Sequence, residues 1–400
     1  VKTHDNPVTA SGKSLQTGGV GTVKTQFFTY AAKSRPHRLH CRETLAPVTL
    51  AYETWGKLNK SRSNAILVFH AMTGHQHAAG INRSIPGLGG RWTKENHIGW
   101  WDGFIGPGKA LDTNRYFILC ANYLGGCYGS TGPTSTNPAT GRSFGASFPT
   151  VRMADIVDSQ VKLLDHLKIR RLHACTGGSL GGIMGLVLAA RHPQRVAQVI
   201  PLCAGLRVTT YQKLLNFEQI HAIEHDPNFR GGHYHGGPRP DRGLAMARMI
   251  AHKTFVSLDA LERRASRELR QEQDDFSWYR LRHPIESYML YQGKSFVDRF
   301  DANTYLRILD AWQYFNLAEE VEVKDEGAAL ARCKAHRFLI FSVDSDVSFH
   351  PEEQEILTMA LQKAGAEVMH ITVHSDKGHD AFLLEPELFA PHMRSLLDES

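Results

Sequence analysis

Long apolar runs are missing from this chain of 400 residues: no stretch approaches the roughly 20 residues that a membrane-spanning helix needs. Cysteine is scarce. The six, Cys41, Cys120, Cys127, Cys175, Cys203 and Cys333, include no close C-x-x-C pair, and several sit in apolar runs. That argues against a disulfide framework or a cysteine zinc site and for free thiols in a reducing, cytoplasmic setting. Blocks of one charge are lacking too. Lys and Arg number 46 against 40 Asp and Glu, a formal charge of +6 that is mild and scattered, so nucleic acid is not an expected partner. From Val1 to Thr25 the chain is polar, rich in Gly, Ser and Thr, and without an apolar signal core. These residues are expected as a flexible tail rather than a secretion signal. No Met stands at the start, so the true N-terminus is expected to lie upstream. With 42% hydrophobic and 22% charged residues and no internal repeat, what remains is a globular protein long enough for a core plus an insertion.

The most informative stretch that is present is Thr176-Gly177-Gly178-Ser179-Leu180-Gly181-Gly182. It contains G-x-S-x-G, with Leu172, Ala174 and Cys175 before it and a helix-like run from Ile183 to Arg191 after it. A strand, a very tight turn and a helix would push the Ser179 hydroxyl out above a sheet, the nucleophile elbow of the α/β-hydrolase fold. Glycine neighbours suit that turn because it holds the serine in strained backbone geometry. The competing reading of such a turn is a phosphate site.

The rest of a triad follows in the order Ser, acid, His. The run from Arg337 to Val343 reads as a buried strand and ends in Asp344, Ser345 and Asp346; Val368 to Val373 reads as another, followed by the loop Asp376-Lys377-Gly378-His379-Asp380. Ser179 is assigned as nucleophile, His379 as general base and then acid, and Asp346 as the group that orients His379. Asp346 is preferred to Asp344 because it lies further into the loop, and His374 is read as a packing residue.

Ala65 to Phe69 reads as a fully buried parallel strand. It runs into His70-Ala71-Met72-Thr73-Gly74, which suggests an oxyanion hole made by the N–H groups of Met72 and Leu180. His70, His75 and His77 have no standard zinc spacing and no cysteine pair beside them, so no metal is expected. The glycine-rich loop from Asn122 to Pro133 is balanced between a ligand-contacting loop and a plain connection, and no base partner is evident for Cys127.

Strands near 48–54, 65–70, 116–123, 172–175 and 196–203 alternate with helices near 153–167 and 182–191, which argues for a mostly parallel, doubly wound sheet flanked by helices. Residues 26–206 are read as the first part of the core and 333–400 as the second. Residues 207–332 are read as a helical lid domain over the serine-bearing face, with helix-like runs at 244–253, 258–271, 287–300 and 304–315. The charged run 262–275 is expected to be a solvated helix face or a flexible segment.

Taken together, the chain resembles the homoserine O-acetyltransferases, α/β-hydrolase-fold acyltransferases of methionine biosynthesis. The resemblance covers about residues 48–385 and rests on six motifs. They are His70-Ala71-Met72-Thr73-Gly74, the run from Gly99 to Ala110 (GWWDGFIGPGKA), the Asn122 to Pro133 loop, Gly177 to Gly182, Ala247-Arg248-Met249-Ile250, and Gly378 to Leu383 (GHDAFL). Leu180 stands where the family commonly has Met, a change that spares a backbone donor, and the segment from Ile81 to His97 looks longer than usual. The resemblance implies acyl transfer from acetyl-CoA, a substrate rather than a bound cofactor, to the γ-hydroxyl of L-homoserine. It further implies that Arg248 and Asp380 hold the acceptor's carboxylate and ammonium, and that a homodimer forms through the lid helices. A succinyl donor or a serine acceptor is the nearest alternative; a plain serine esterase or thioesterase is the other.

Overall fold

A computed structural model describes residues 19–265 and 273–398. Its centre is an eight-stranded sheet. The strands are β1 (Gln26–Tyr30), β2 (Val48–Trp55), β3 (Ala65–Val68), β4 (Phe117–Ala121), β5 (Leu172–Gly178), β6 (Val196–Leu202), β7 (Arg337–Val343) and β8 (Glu367–Val373). Their order across the sheet is β1-β2-β4-β3-β5-β6-β7-β8. The pairs β1–β2 and β2–β4 are antiparallel, and β4–β3, β3–β5, β5–β6, β6–β7 and β7–β8 are parallel. The mostly parallel sheet expected from the alternating pattern is therefore present.

Its central strands have no solvent face. Ala65, Ile66, Leu67 and Val68 are all buried, as a strand covered on both sides requires. On one face Leu67, Cys175, Val199 and Ile340 pack with Ile156 and Leu164 of α1 (Met153–His166), Leu186 of α2 (Leu180–Arg191) and Leu357 of α10 (Pro351–Lys363). On the other, Ile66, Val68, Ala174, Leu339 and Phe341 meet Trp101, Phe104, and Phe389 and Met393 of α12 (Pro386–Asp398). Each such Val, Leu, Ile, Phe or Met contributes roughly 1.5–3 kcal/mol on full burial.

Between β6 and β7 the described chain is helical: α3 (Thr210–Glu224), α4 (Asp241–Phe255), α5 (Leu258–Ala265), α6 (Pro284–Arg299), α7 (Ala302–Gln313), α8 (Leu317–Val321) and α9 (Glu326–Ala331). Phe296, Phe300, Tyr305, Leu244 and Ala247 form its core, which closes over Cys127 and Tyr128 of the glycine-rich loop and over Trp92 of the 81–97 segment. The last two helices pack back on α1 and α2. There the buried Glu320 of α8 accepts a hydrogen bond from Ala154 N at the start of α1 (2.7 Å), and burial pushes its carboxyl up to about 7. Among the described residues no helix is long and apolar enough to cross a membrane.

Two local expectations change. Residues 20–25 do not hang free: Val23 N donates to Ile81 O, Ile81 N to Gly21 O, and Thr25 Oγ1 to the buried Glu53 at 2.7 Å. The rest of the expected tail, residues 1–18, lies outside the described residues, as do 266–272 of the charged run. Ala381 to Leu397, which reads in the sequence as one helix, belongs to two, α11 (Ala381–Leu384) and α12, because Pro386 offers no N–H to continue the first.

Candidate active site

Ser179 sits between β5 and α2 with φ 58° and ψ −126°, a conformation that non-glycine residues rarely adopt. The two glycines of G-x-S-x-G make this turn possible. A Cβ on Gly177 or Gly181 would lie 2.4 or 2.3 Å from the carbonyl oxygen of Phe69, at the end of β3. Ser179 N donates to Leu202 O at 2.8 Å, which anchors the elbow to the end of β6. Leu180 opens α2, so its N–H has no acceptor within the helix. Across from it, the turn carrying Met72 is closed by Gly74 N donating to Ala71 O, and His70 O lies 3.1 Å from the Cβ position of Gly181. The Met72 loop and the elbow are thus in contact.

The loops after β7 and β8 supply the acid and the imidazole. His379 Nδ1 donates to Asp346 Oδ2 at 2.7 Å, and both side chains are buried. Asp346 Oδ1 accepts from Ser348 N (2.8 Å) and Phe349 N (2.9 Å), so the carboxylate is held on both oxygens. Asp344 instead pairs with the exposed His374 at 2.9 Å, outside the buried cluster. Burial opposes charge on His379, but Asp346 first, and Asp380 and Glu353 after it, outweigh burial and raise the imidazole pKa above its ordinary value. Its Nε2 is buried and without a hydrogen-bond partner among the described residues. Phe382 joins the two halves: its ring centroid is 5.3 Å from that of His379, and its edge lies 2.3 Å from where a Cβ on Gly178 would stand. Phe349 stacks on the imidazole with ring centroids 5.4 Å apart.

Arg248, on α4, places its guanidinium carbon 5.1 Å from the rings of both Phe255 and Phe296. Phe255 in turn lies 6.2 Å from the His379 ring. The side chain is half-buried and its Nε has no partner among the described residues. Burial, and then the neighbouring Arg299, lower its pKa, while Asp380 is close enough to oppose them. Asp380 is therefore within electrostatic reach of both the imidazole and the guanidinium, and Phe255 lies between those two.

The other residues singled out in the sequence have their own partners. His77 donates from Nδ1 to Glu53 at 2.7 Å, His75 Nε2 accepts from Asn96, and His70 bonds Ala71 O and stacks on Tyr123. Within the glycine-rich loop, Gly125 N donates to Thr131 O, and Thr131 N reaches back to Thr49 O on β2. Cys127 is buried, and burial with the nearby Asp301 pushes its thiol up to about 12, far from a nucleophile's range. The 81–97 segment lays Trp92 against His75 and Tyr128 and brings Glu95 within 3.8 Å of Arg299.

Sequence reasoning missed Cys203, which follows β6 with φ 49°. Its Sγ, a carboxylate oxygen of Asp346 and a ring nitrogen of His379 lie within 4.8 Å of one another. It also missed Phe255 and Phe296 around Arg248. No local motif marks any of these.

Comparison with known proteins gives the fold and the relatives of the chain. Residues 65–386 match the model of the alpha/beta hydrolase fold. The chain is 43% identical over 361 residues to a homoserine O-acetyltransferase of Mesorhizobium japonicum, covering 89% of each chain. It is 40% identical over 372 residues to a homoserine O-succinyltransferase of Stutzerimonas stutzeri, covering 93% of this chain and 94% of that one. A crystal structure of homoserine O-acetyltransferase from Bacillus anthracis superposes with a TM-score of 0.83 at 26% identity, over 95% of this chain and 98% of the other.

Proposed function

The chain belongs to the homoserine O-acetyltransferase family of the α/β-hydrolase fold, and from that premise we propose that it moves an acetyl group from acetyl-CoA to the γ-hydroxyl of L-homoserine through an acyl-serine. In this reading Ser179 Oγ attacks the thioester carbonyl while Nε2 of His379 takes its proton. The N–H groups of Leu180 and Met72 receive the oxyanion, helped by the positive end of α2. His379 returns the proton to the departing thiolate. Homoserine then enters, His379 deprotonates its hydroxyl, and the ester leaves with Ser179 restored. Asp346 holds the imidazole in the required tautomer and stabilises its charged form.

The observation that carries the proposal is the buried Asp346–His379 pair with Asp380 in electrostatic reach of both His379 and Arg248. A hydrolase needs the pair alone. A zwitterionic acceptor needs, in addition, a guanidinium for its carboxylate and a carboxylate for its ammonium. We read the helices between β6 and β7 as the lid that keeps water from the acyl-enzyme. Exposed Tyr211, Leu214 and Phe217 on α3 and Met246 on α4 favour a homodimer through that surface. Six free cysteines, five of them buried, fit a cytoplasmic site of action.

The test is a steady-state assay of acetyl-CoA and succinyl-CoA against homoserine and serine, following both CoA release and ester formation. Acetyl transfer to homoserine with ping-pong kinetics is expected. CoA release at equal rates with and without an acceptor would refute it in favour of a thioesterase. A succinyl donor is the second reading. One feature favours it: Arg299 is a second guanidinium 5.1 Å from the Phe296 ring that Arg248 also faces.

A further inference from the structure

Behind the Asp346–His379 pair lies a second buried carboxylate that the proposed reaction does not use. Glu353, in the first turn of α10, is 8% exposed. Its Oε1 accepts from His350 N at 3.0 Å, and its two oxygens lie 3.2 and 3.1 Å from Nε2 of Gln212. Gln212 comes from the first turn of α3 and is itself buried. The same Nε2 donates to Ser348 O at 2.9 Å, while the amide oxygen accepts from Thr209 N at 3.0 Å. The amide is thus fully engaged. Ser348 and Phe349 are the residues whose N–H groups hold Asp346 Oδ1. One side chain from the helical insertion and one from α10 therefore grip the 348–350 turn, by the carbonyl at its start and the amide at its end.

We propose that Gln212 and Glu353 are positioning residues of the acyl-transfer reaction: they hold the 348–350 turn, and through it Asp346, in register with His379, and so tie that register to the seating of α3. The inference rests on the roles proposed above for Ser179, Asp346 and His379. Neither residue touches substrate. Their effect runs through the orientation of one carboxylate, where a displacement well short of a bond length is enough to slow proton transfer.

Charge enters as well. Asp346 and His379 face Glu353 from the two catalytic loops, and His350 faces it from its own helix. From α3 comes the neutral amide of Gln212, and Gly205 lies against Oε2, 2.7 Å from where its Cβ would stand. Burial, opposed by Gln212 and His350 and reinforced by the Asp346 charge, pushes the Glu353 carboxyl up to about 7. Its ionised form favours a charged His379.

Pre-steady-state acylation of Ser179 by p-nitrophenyl acetate tests this, because that ester needs the triad but neither CoA nor homoserine. Glu353→Gln and Gln212→Ala are each expected to slow the acylation burst by roughly ten- to a hundredfold with an unchanged circular-dichroism spectrum. Glu353→Gln should also move the low-pH midpoint of the burst rate downwards, since a negative charge that favours the imidazolium is gone. A midpoint that stays in place in Glu353→Gln, whatever its plateau, overturns the inference, because a merely architectural role would leave it there. Should Glu353→Gln fail to fold, Gln212→Ala carries the test, and a wild-type burst in that variant overturns the proposal. A wild-type protein that gives the burst yet transfers nothing from acetyl-CoA to homoserine refutes the function and leaves the positioning test standing.

Discussion

Replacing Arg248 by alanine separates acceptor binding from the rest of the proposed chemistry. The guanidinium carbon lies 5.1 Å from the Phe255 and Phe296 rings, with a buried Nε that has no partner among the described residues. Three effects compete. Losing two cation–π contacts costs about 0.5–2 kcal/mol each, but that cost falls on the free enzyme as much as on its complexes. Relief of the repulsion from Arg299 returns part of it. The third effect appears only when homoserine is present: its carboxylate enters a largely desolvated site without a charged partner. Losing such a contact costs about 2–5 kcal/mol, or roughly 30- to 5,000-fold. Because the Arg248 side chain is half-buried rather than fully buried, we place the fall in kcat/KM for homoserine near a hundredfold, about 2.7 kcal/mol. Arg248→Lys keeps the charge but loses the planar fork, and should fall in between. Acylation of Ser179 by acetyl-CoA has no need of the clamp. Rapid-quench acylation without acceptor should therefore stay within about threefold of wild type while steady-state transfer collapses. If acylation falls as far as transfer, Arg248 supports the triad or the lid, and the clamp is refuted.

Ser179→Ala should lower transfer by roughly three to six decades without changing the thermal melt. Intact mass spectrometry should find one acetyl group on the Ser179 peptide in wild type and none in the variant; acetyl on Cys127 would refute the assignment. The proposed base must be neutral to act, and its pKa is raised in the folded protein, so the low-pH limb of kcat/KM should have its midpoint above the ordinary histidine value of 6.5. Asp346→Asn should move that midpoint down and cut the plateau by about 10⁴; an unmoved midpoint would exclude His379. Glu320 carries a proton in the folded state up to about pH 7 that the unfolded chain loses near 4.5, so it contributes stability below 4.5 that fades as pH rises through 7. Glu320→Gln, whose amide oxygen can still accept from Ala154 N, should raise the melting temperature more at pH 8.5 than at pH 5; a gap independent of pH would refute this.

The parts of the architecture legible in the sequence were those whose signal is local. Ala65 to Val68 has no polar residue because both faces of that strand are covered, and the elbow announces itself because only glycines tolerate the approach of the Phe69 carbonyl. Position along the chain favoured Asp346 over Asp344, and the distances separate them outright: one bonds a buried imidazole, the other an exposed one. The helix α3 gave no readable stripe. Its buried residues Gln212, Leu215, Asn216, Gln219 and Ile223 are mostly polar, while Tyr211, Leu214 and Phe217 are exposed. The antiparallel strand β1 is an edge with little buried surface. Cys203, Glu353 and Gln212 acquire meaning only through partners more than a hundred residues away, in one direction or the other, and such pairings leave no periodic trace.

The order of the pieces along the chain has a practical side. The serine elbow is complete by the end of β6, whereas Asp346 and His379 arrive only with the loops after β7 and β8, beyond the whole helical insertion. A ribosome releasing the chain from its N-terminus thus makes the Ser179 turn long before it makes the base proposed to arm it. The same separation offers a natural place to split the gene. A break inside the insertion would leave one fragment with the proposed nucleophile and another with the proposed base, each expected to be silent until the two strands β6 and β7 find each other again.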